Sequence, residues 1–322
     1  MLYALAFFLL WTAAAWGVEP LPVVTTSTDL KALVEVVGGE RVRVESLAPP
    51  LQDPHAVEVK PGQLAKLKAA GLLVRIGLDH EPWLSRALRT VGDSRFIRES
   101  PHYLDTSKGI QLLQAETPRV RADKGAHIHG FGNTHYWLDP ENGRPITAAI
   151  LTALLRLAPA DRPYFEANRK KFLDQLDGRL KGWLQTMAPY KGTRVVAVHE
   201  TWPYFAQRFG LTIVAVVEPN PGVPPSPSYL ASLIQKMRDS GIRLLIAEPY
   251  SNASEVRQVA TQSGTTAVTL IPSVGGDPGA SDYLSLFDFN IKRFSQAARA
   301  AQRKRNGVLE DRLFQAVQDL QT

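Results

Sequence analysis

The stretch Leu21–Leu47 reads LPVVTTSTDLKALVEVVGGERVRVESL and carries the local signals of a complete β-α-β unit. It opens with apolar and β-branched residues, which are typical of a strand. Ser-Thr-Asp at positions 27–29 then predicts a helix N-cap, and the glycine pair 38–39 ends the helix. A second β-branched run follows from Val42. A strand, a helix and a strand in this order indicate a parallel sheet covered by helices.

The same alternation of strands and helices extends on both sides of a long helical region. A second series of short apolar runs and helical patterns covers Arg194–Leu270, and Tyr164–Met187 is a long helical pattern without an internal proline. We therefore predict an α/β fold of two lobes with central parallel sheets, joined by a long backbone helix, with a ligand-binding cleft between the lobes. The predicted units are an N-terminal lobe (18–160), a linking helix (161–188) and a C-terminal lobe (189–322).

The N-terminal segment is read as a targeting signal. Met1–Trp16 is rich in Leu, Phe and Ala, but it is shorter than the roughly 20 apolar residues that span a bilayer. The segment ends in small residues, so we predict a secretory signal peptide at residues 1–17 and export of the mature chain. No Lys or Arg precedes the apolar run. An uncleaved N-terminal anchor is the alternative.

The composition excludes several kinds of site. The chain of 322 residues has 44% hydrophobic and 21% charged residues, which are ordinary globular values. It has no cysteine, which excludes disulfides, thiolate metal sites and the usual lipid attachment point of lipoproteins. We therefore predict a periplasmic protein without a lipid anchor, whose metal ligands are His, Asp, Glu or water. The formal charge of +6 comes from scattered basic residues, and no nucleic-acid-binding motif accompanies them.

Three histidines stand just beyond the ends of predicted elements. His55 follows the second strand by a short loop, His135 precedes Tyr-Trp-Leu-Asp-Pro, and His199 ends an apolar strand. Ligands of open α/β sheets bind beyond the carboxyl ends of the strands. Imidazoles without thiolates suit Zn²⁺ better than Ca²⁺ or Mg²⁺. A zinc site is one interpretation of these residues, and capping or surface positions are the other.

Four segments around these histidines resemble the motifs of one family. They are Asp53–Pro61 (DPHAVEVKP), Ile76–Leu84 (IGLDHEPWL), His135–Pro140 (HYWLDP) and Val196–Phe205 (VAVHETWPYF). In this order they resemble the motifs of the zinc- and manganese-specific substrate-binding proteins of ABC transporters, the ZnuA/TroA type of cluster A-I. The resemblance covers almost the whole chain after the signal segment.

The resemblance implies a transport function with a metal ion between the two lobes. It implies that His55, His135 and His199 are three metal ligands, and that the protein captures Zn²⁺ in the periplasm and delivers it to the membrane permease of an ABC transporter. Mn²⁺ is the second choice, because many manganese members carry Glu in place of the third histidine. We further expect a monomer that binds no nucleic acid.

The fourth ligand is absent from the position where the family supplies it. The loop 271–278 (IPSVGGDP) carries no carboxylate at the aligned positions 273–275. Asp277, Glu248 and Glu218 are the candidates in the sequence, and a water molecule is the remaining alternative.

The other histidines have less defined roles. His127 and His129 lie where many zinc members carry a longer His-rich loop, so they are interpreted either as an accessory metal-collecting loop or as a polar surface loop. His80 and His102 are predicted to be structural or surface residues.

Two other functions are compatible with three histidines. An open fourth position is also the layout of catalytic zinc, and Glu200, Glu218 or Glu248 would then serve as the general base of a hydrolase. The chain has no HExxH, GxSxG or phosphate-loop motif. An adhesin or a metal-storage protein is also possible on the same scaffold. We predict that the protein is not an enzyme.

Overall fold

The structure, a computed structural model, describes residues 19–114, 132–219 and 223–319, with residues 305–319 as backbone only. These residues form two four-stranded sheets accompanied by α-helices. No helix in the described ranges has the length and apolar character needed to cross a bilayer. The predicted signal segment and the loop with His127 and His129 lie outside the described residues.

The first sheet contains the β-α-β unit predicted from the opening stretch. Its strand order is β2-β1-β3-β4, and all neighbouring strands are parallel. Helix α1 begins where the sequence predicts, because Ser27 Oγ accepts the backbone N–H of Leu30 and caps the first turn. The elements are β1 Leu21–Thr25, α1 Thr28–Gly38, β2 Val42–Ser46, α2 Pro61–Ala69, β3 Leu72–Arg75, α3 Leu84–Val91 and β4 Tyr103–Asp105.

The second sheet repeats the pattern after two long helices. Helices α4 (Gly143–Leu157) and α5 (Arg162–Met187) both pack on α1, and α5 also packs on the C-terminal helix α9. The sheet order is β6-β5-β7-β8, again parallel throughout. Its elements are β5 Arg194–Ala197, α6 Pro203–Phe209, β6 Thr212–Val216, α7 Pro227–Asp239, β7 Leu244–Ala247, α8 Ala253–Ser263, β8 Thr266–Thr269 and α9 Tyr283–Asp319. The predicted α/β architecture is confirmed, while the unit boundaries at residues 160 and 188 stay predictions.

The pattern of residues 81–91 predicts a helix from Glu81, whereas helix α3 begins three residues later, at Leu84. The carboxylate of Glu81 accepts the backbone N–H groups of Ile76 and Gly77, which draws residue 81 back to the end of β3. The intervening chain therefore forms a tight loop before the helix starts. This loop carries His80.

The two lobes are packed against each other through the segment that follows residue 134. Trp137 Nε1 donates to the carbonyl oxygen of Pro272 at 2.9 Å, and the hydroxyl of Tyr283 donates to the carbonyl oxygen of Trp137 at 2.7 Å. Arg208 on α6 binds both carboxylate oxygens of Asp139, at 2.7 and 2.8 Å. Trp137 and Tyr283 belong to one apolar core that includes residues of both lobes.

Asp29 is a fully buried carboxyl group at the contact between the lobes. It lies in the first turn of α1, and its Oδ1 accepts the backbone N–H of Val274, in the loop after β8, at 2.9 Å. Burial raises the pKa of Asp29 from 3.8 to about 7, against the weaker opposing effect of its hydrogen bonds. The carboxyl group is therefore protonated in the folded protein under conditions that ionise it in the unfolded chain.

The contribution of Asp29 to the free energy of unfolding is expected to fall as the pH rises from 3.8 to about 7, and Asp29→Asn is expected to remove this contribution. Between these pKa values the folded protein holds the extra proton, so raising the pH favours the unfolded chain. The full shift corresponds to about 4 kcal/mol. Urea unfolding of metal-free wild type and Asp29→Asn across this pH range measures the effect as the difference between the two proteins. Asp239→Asn, at an exposed position on α7, is the control, and equal pH profiles for wild type and Asp29→Asn would contradict the prediction.

Candidate metal centre

Three histidines of the N-terminal lobe lie together: His55, His80 and His135. Their ligand nitrogens are all within 4.8 Å of one another, and among the described residues this is the only such group of three or more His, Asp or Glu side chains. Nε2 of His55 lies 3.3 Å from Nε2 of His135. The ring centroid of His80 is 4.3 Å from that of His55 and 5.2 Å from that of His135. His80 and His135 are buried, and His55 is partly exposed.

His55 is positioned by a short 3-10 turn, Pro54–Ala56, after β2. The side chain of Asp53 accepts the backbone N–H of His55 at 2.9 Å, and Trp83 Nε1 donates to the carbonyl oxygen of Pro54 at 2.8 Å. Nδ1 of His55 donates to the carbonyl oxygen of His80 at 2.8 Å. Because Nδ1 carries the proton in this hydrogen bond, the lone pair of the neutral ring is on Nε2, toward His135.

His135 is positioned by Asn133, which is itself held by the C-terminal lobe. Asn133 Oδ1 accepts the backbone N–H of His135 at 3.0 Å and the Nδ1–H of the same residue at 3.2 Å. The hydroxyl of Tyr204 donates to the carbonyl oxygen of Asn133 at 2.8 Å, and Asn133 Nδ2 donates to the carbonyl oxygen of Glu200 at 2.7 Å. In the neutral ring of His135 the lone pair is therefore also on Nε2.

His80 sits at the end of a strained loop between β3 and α3. Two consecutive residues other than glycine, Leu78 and Asp79, have φ angles of 56° and 58°, and they follow Gly77 at 89°. Side chains with a Cβ rarely adopt this region, and such strain persists where surrounding contacts impose it. The backbone N–H of His80 donates to the carbonyl oxygen of Gly77 at 2.9 Å, and Nδ1 forms a hydrogen bond to Thr134 Oγ1 at 2.8 Å.

The buried carboxylate of Glu81 imposes the shape of this loop. Oε1 accepts Thr26 Oγ1 at 2.6 Å and the backbone N–H of Ile76 at 2.7 Å. Oε2 accepts the guanidinium of Arg75 at 2.8 and 3.2 Å and the backbone N–H of Gly77 at 3.2 Å. The Glu81 residue is 2% exposed. Its contacts attach it, next to His80, to the ends of β1 and β3.

His199 follows β5 in the other lobe and belongs to a different cluster. Its Nδ1 is 2.8 Å from Glu248 Oε2, and its Nε2 is 3.0 Å from Glu218 Oε2. Burial by itself would lower the pKa of His199, but the hydrogen bonds and charges of Glu248 and Glu218 outweigh it and raise the pKa to about 9. In this arrangement the ring is an imidazolium that donates to both carboxylates.

None of the three sequence candidates for a fourth ligand belongs to the cluster of His55, His80 and His135. Glu248 also accepts Trp202 Nε1 at 2.7 Å and Ser251 Oγ at 2.9 Å, so both of its oxygens are engaged. Glu218 faces His199. Asp277 accepts the backbone N–H of Gly279 at 2.8 Å and closes its own turn.

The structure thus brings together two of the three predicted ligands, His55 and His135, and adds His80. The prediction that His80 is a structural or surface residue missed its place in this cluster. A sequence signal exists, because His55 follows β2 and His80 follows β3, and parallel strands end at the same edge of a sheet.

The spacing of the cluster suits zinc. Tetrahedral Zn–N bonds of about 2.0–2.1 Å place two ligand nitrogens about 3.3–3.4 Å apart, and the Nε2 atoms of His55 and His135 are 3.3 Å apart.

The fold and site define a two-lobe α/β protein with a histidine cluster for a divalent metal. Comparison with known proteins agrees with this description. A family model described as "Zinc-uptake complex component A periplasmic" matches residues 23–297. The high-affinity zinc uptake system protein ZnuA of Yersinia pestis is 24% identical, over 79% of this chain and 83% of that protein. The manganese ABC transporter substrate-binding lipoprotein PsaA of Streptococcus pneumoniae is 24% identical, over 88% and 91%.

A crystal structure of ZnuA superposes with a TM-score of 0.72 at 25% identity, covering 87% of this chain and 99% of that chain. The chain belongs to the ZnuA family of periplasmic zinc-uptake components. It is the metal-binding component of an ABC-type uptake system. The predictions of family, fold class and transport function are confirmed.

Proposed function

We propose that the protein captures Zn²⁺ as cargo and delivers it to the membrane permease of an ABC transporter. The observation that carries this proposal is the pair of Nε2 atoms of His55 and His135, 3.3 Å apart, with Nδ1 of each ring held by an oxygen acceptor. Two neutral imidazoles arranged in this way present their lone pairs to one point, and a cation there removes their mutual repulsion. Nitrogen ligands favour zinc over manganese, which prefers oxygen.

His199 is the proposed ligand from the C-terminal lobe. The contact between its Nδ1 and Glu248 is the arrangement in which a carboxylate orients a metal-binding imidazole, so Nε2 is its coordinating atom. To coordinate, Nε2 releases its proton to solvent and exchanges its hydrogen bond to Glu218 for the metal. Among the three sequence candidates, Glu218 therefore stands closest to a bound ion, whereas Asp277 is engaged in its own turn.

The proposal extends to the setting of this function. The mature protein is exported by residues 1–17, stays in the periplasm without a lipid anchor and acts as a monomer. It binds the metal for transport and catalyses no reaction. The absence of cysteine supports the unanchored form, because the usual lipid attachment residue is missing.

Titration of the metal-free protein with zinc tests the proposal. We expect one ion to bind per chain and to raise the melting temperature, because a ligand that binds the folded state stabilises it by mass action; saturation at ~100 times the Kd adds about 2.7 kcal/mol. Manganese should bind more weakly. Absence of zinc binding would overturn the proposal, and turnover of ester or phosphate substrates by the zinc-loaded protein would favour the hydrolase instead.

A further inference from the structure

We infer that His80 is a metal ligand and that the N-terminal lobe holds the ion with three imidazoles, those of His55, His80 and His135. This inference rests on the proposed zinc function and assigns the ligand that the sequence leaves unassigned. The C-terminal loop 271–278 lacks the carboxylate that the resemblance leads one to expect, and a histidine of the other lobe takes its place.

The positions of the three rings support His80 as a ligand. Their ligand nitrogens lie within 4.8 Å of one another, while His199 is held at both nitrogens by carboxylates of its own lobe. Nδ1 of His80 is hydrogen-bonded to Thr134, so the ring coordinates through Nε2. Each of the three imidazoles is then oriented by an oxygen atom on Nδ1, which is the usual support of a metal-binding histidine.

The backbone before His80 provides independent support. Leu78 and Asp79 both adopt positive φ angles, a conformation that costs roughly 1–3 kcal/mol at each such residue. Glu81 maintains it through hydrogen bonds to the ends of two strands. A surface or purely structural histidine does not require this loop, because an ordinary turn from β3 into α3 would accommodate one. The strained loop places His80 against His55 and His135.

This set of ligands determines which lobe is needed to bind the metal. Three imidazoles on one lobe suffice to hold the ion, and His199 completes a tetrahedral set when its Nε2 loses its proton to solvent and leaves Glu218 for the metal. A nitrogen donor in place of the carboxylate also shifts the preference of the site toward Zn²⁺ and away from Mn²⁺.

The test uses His80→Asn, whose side-chain amide is able to keep the hydrogen bond to Thr134 but does not reach the metal position. Zinc affinity is measured by competition with a chelator, and we expect it to fall roughly 100-fold. His102→Asn is the matched control, because His102 lies in the same lobe but pairs with Gly71 outside the cluster. Near-ultraviolet circular dichroism of the metal-free variants establishes that both are folded.

X-ray absorption of the zinc-loaded His199→Ala variant provides a second measurement that does not alter His80. Three coordinated imidazoles support the inference, and two overturn it. If His80→Asn binds zinc as tightly as wild type while His55→Ala does not, the inference is wrong and the proposed function stands. If wild type binds no zinc, the proposed function fails and the inference fails with it.

Discussion

His55→Ala is expected to weaken zinc binding by roughly 1,000-fold, the largest effect of any single histidine. Zinc sites in peptides contribute about 10–16 kcal/mol, so one of four ligands accounts for about 3 kcal/mol, or roughly 100-fold. His55 has a second role, because its Nδ1 donates to the carbonyl oxygen of His80. Loss of a group that orients a neighbouring ligand costs a further ~10–100-fold.

Zinc affinity of His55→Ala and His102→Ala, measured side by side by chelator competition, tests this expectation. His102 hydrogen-bonds to Gly71 at 2.7 Å, away from the cluster, so its variant should bind zinc as wild type does. His55 lies on a partly exposed turn, and the unfolding free energy of the metal-free variant should change by no more than about 1 kcal/mol. Equal zinc affinity in both variants would exclude His55 as a ligand.

Glu81→Gln is expected to lower the free energy of unfolding by about 3–5 kcal/mol, out of a total that is typically about 5–15 kcal/mol. The substitution keeps the shape of the side chain but leaves the guanidinium of Arg75 without its counterion. The Arg75 side chain is 11% exposed and that of Glu81 1% exposed, so water does not replace the lost partner. Zinc affinity should also fall, because position 81, next to His80, keeps only one acceptor oxygen and loses part of its attachment to the end of β3.

The matched control is Glu45→Gln, which makes the same chemical change in an exposed ion pair with Lys66 at 2.6 Å. Exposed pairs contribute about 0–1 kcal/mol, so this variant should unfold at nearly the urea concentration of wild type. Urea unfolding of the metal-free proteins measures both. A loss in Glu81→Gln as small as that in Glu45→Gln would show that the buried pair does not maintain the loop.

Local patterns in the sequence predicted most of the secondary structure. The N-cap at Ser27, the glycine pair that ends α1 and the long pattern that became α5 depend on interactions within a few residues, which the sequence contains directly. The sequence pattern places the start of α3 three residues too early, because the contacts of Glu81 with Thr26 and Arg75 depend on the sheet. Tertiary contacts of this kind override the local helix propensity.

For the metal centre, the contiguous motifs around His55 and His135 are enough to predict the family, the transport function and the importance of these two histidines. Such motifs do not show which histidines meet at one point in space. The sheet order β2-β1-β3 places the loops after β2 and β3 on either side of one strand, about 10 Å apart, and the strained loop carries His80 across that distance. His199 lies in the other lobe, where the carboxylates of Glu218 and Glu248, which follow β6 and β7, hold it. Distances between residues far apart in sequence depend on how the sheets assemble, and no local pattern encodes them.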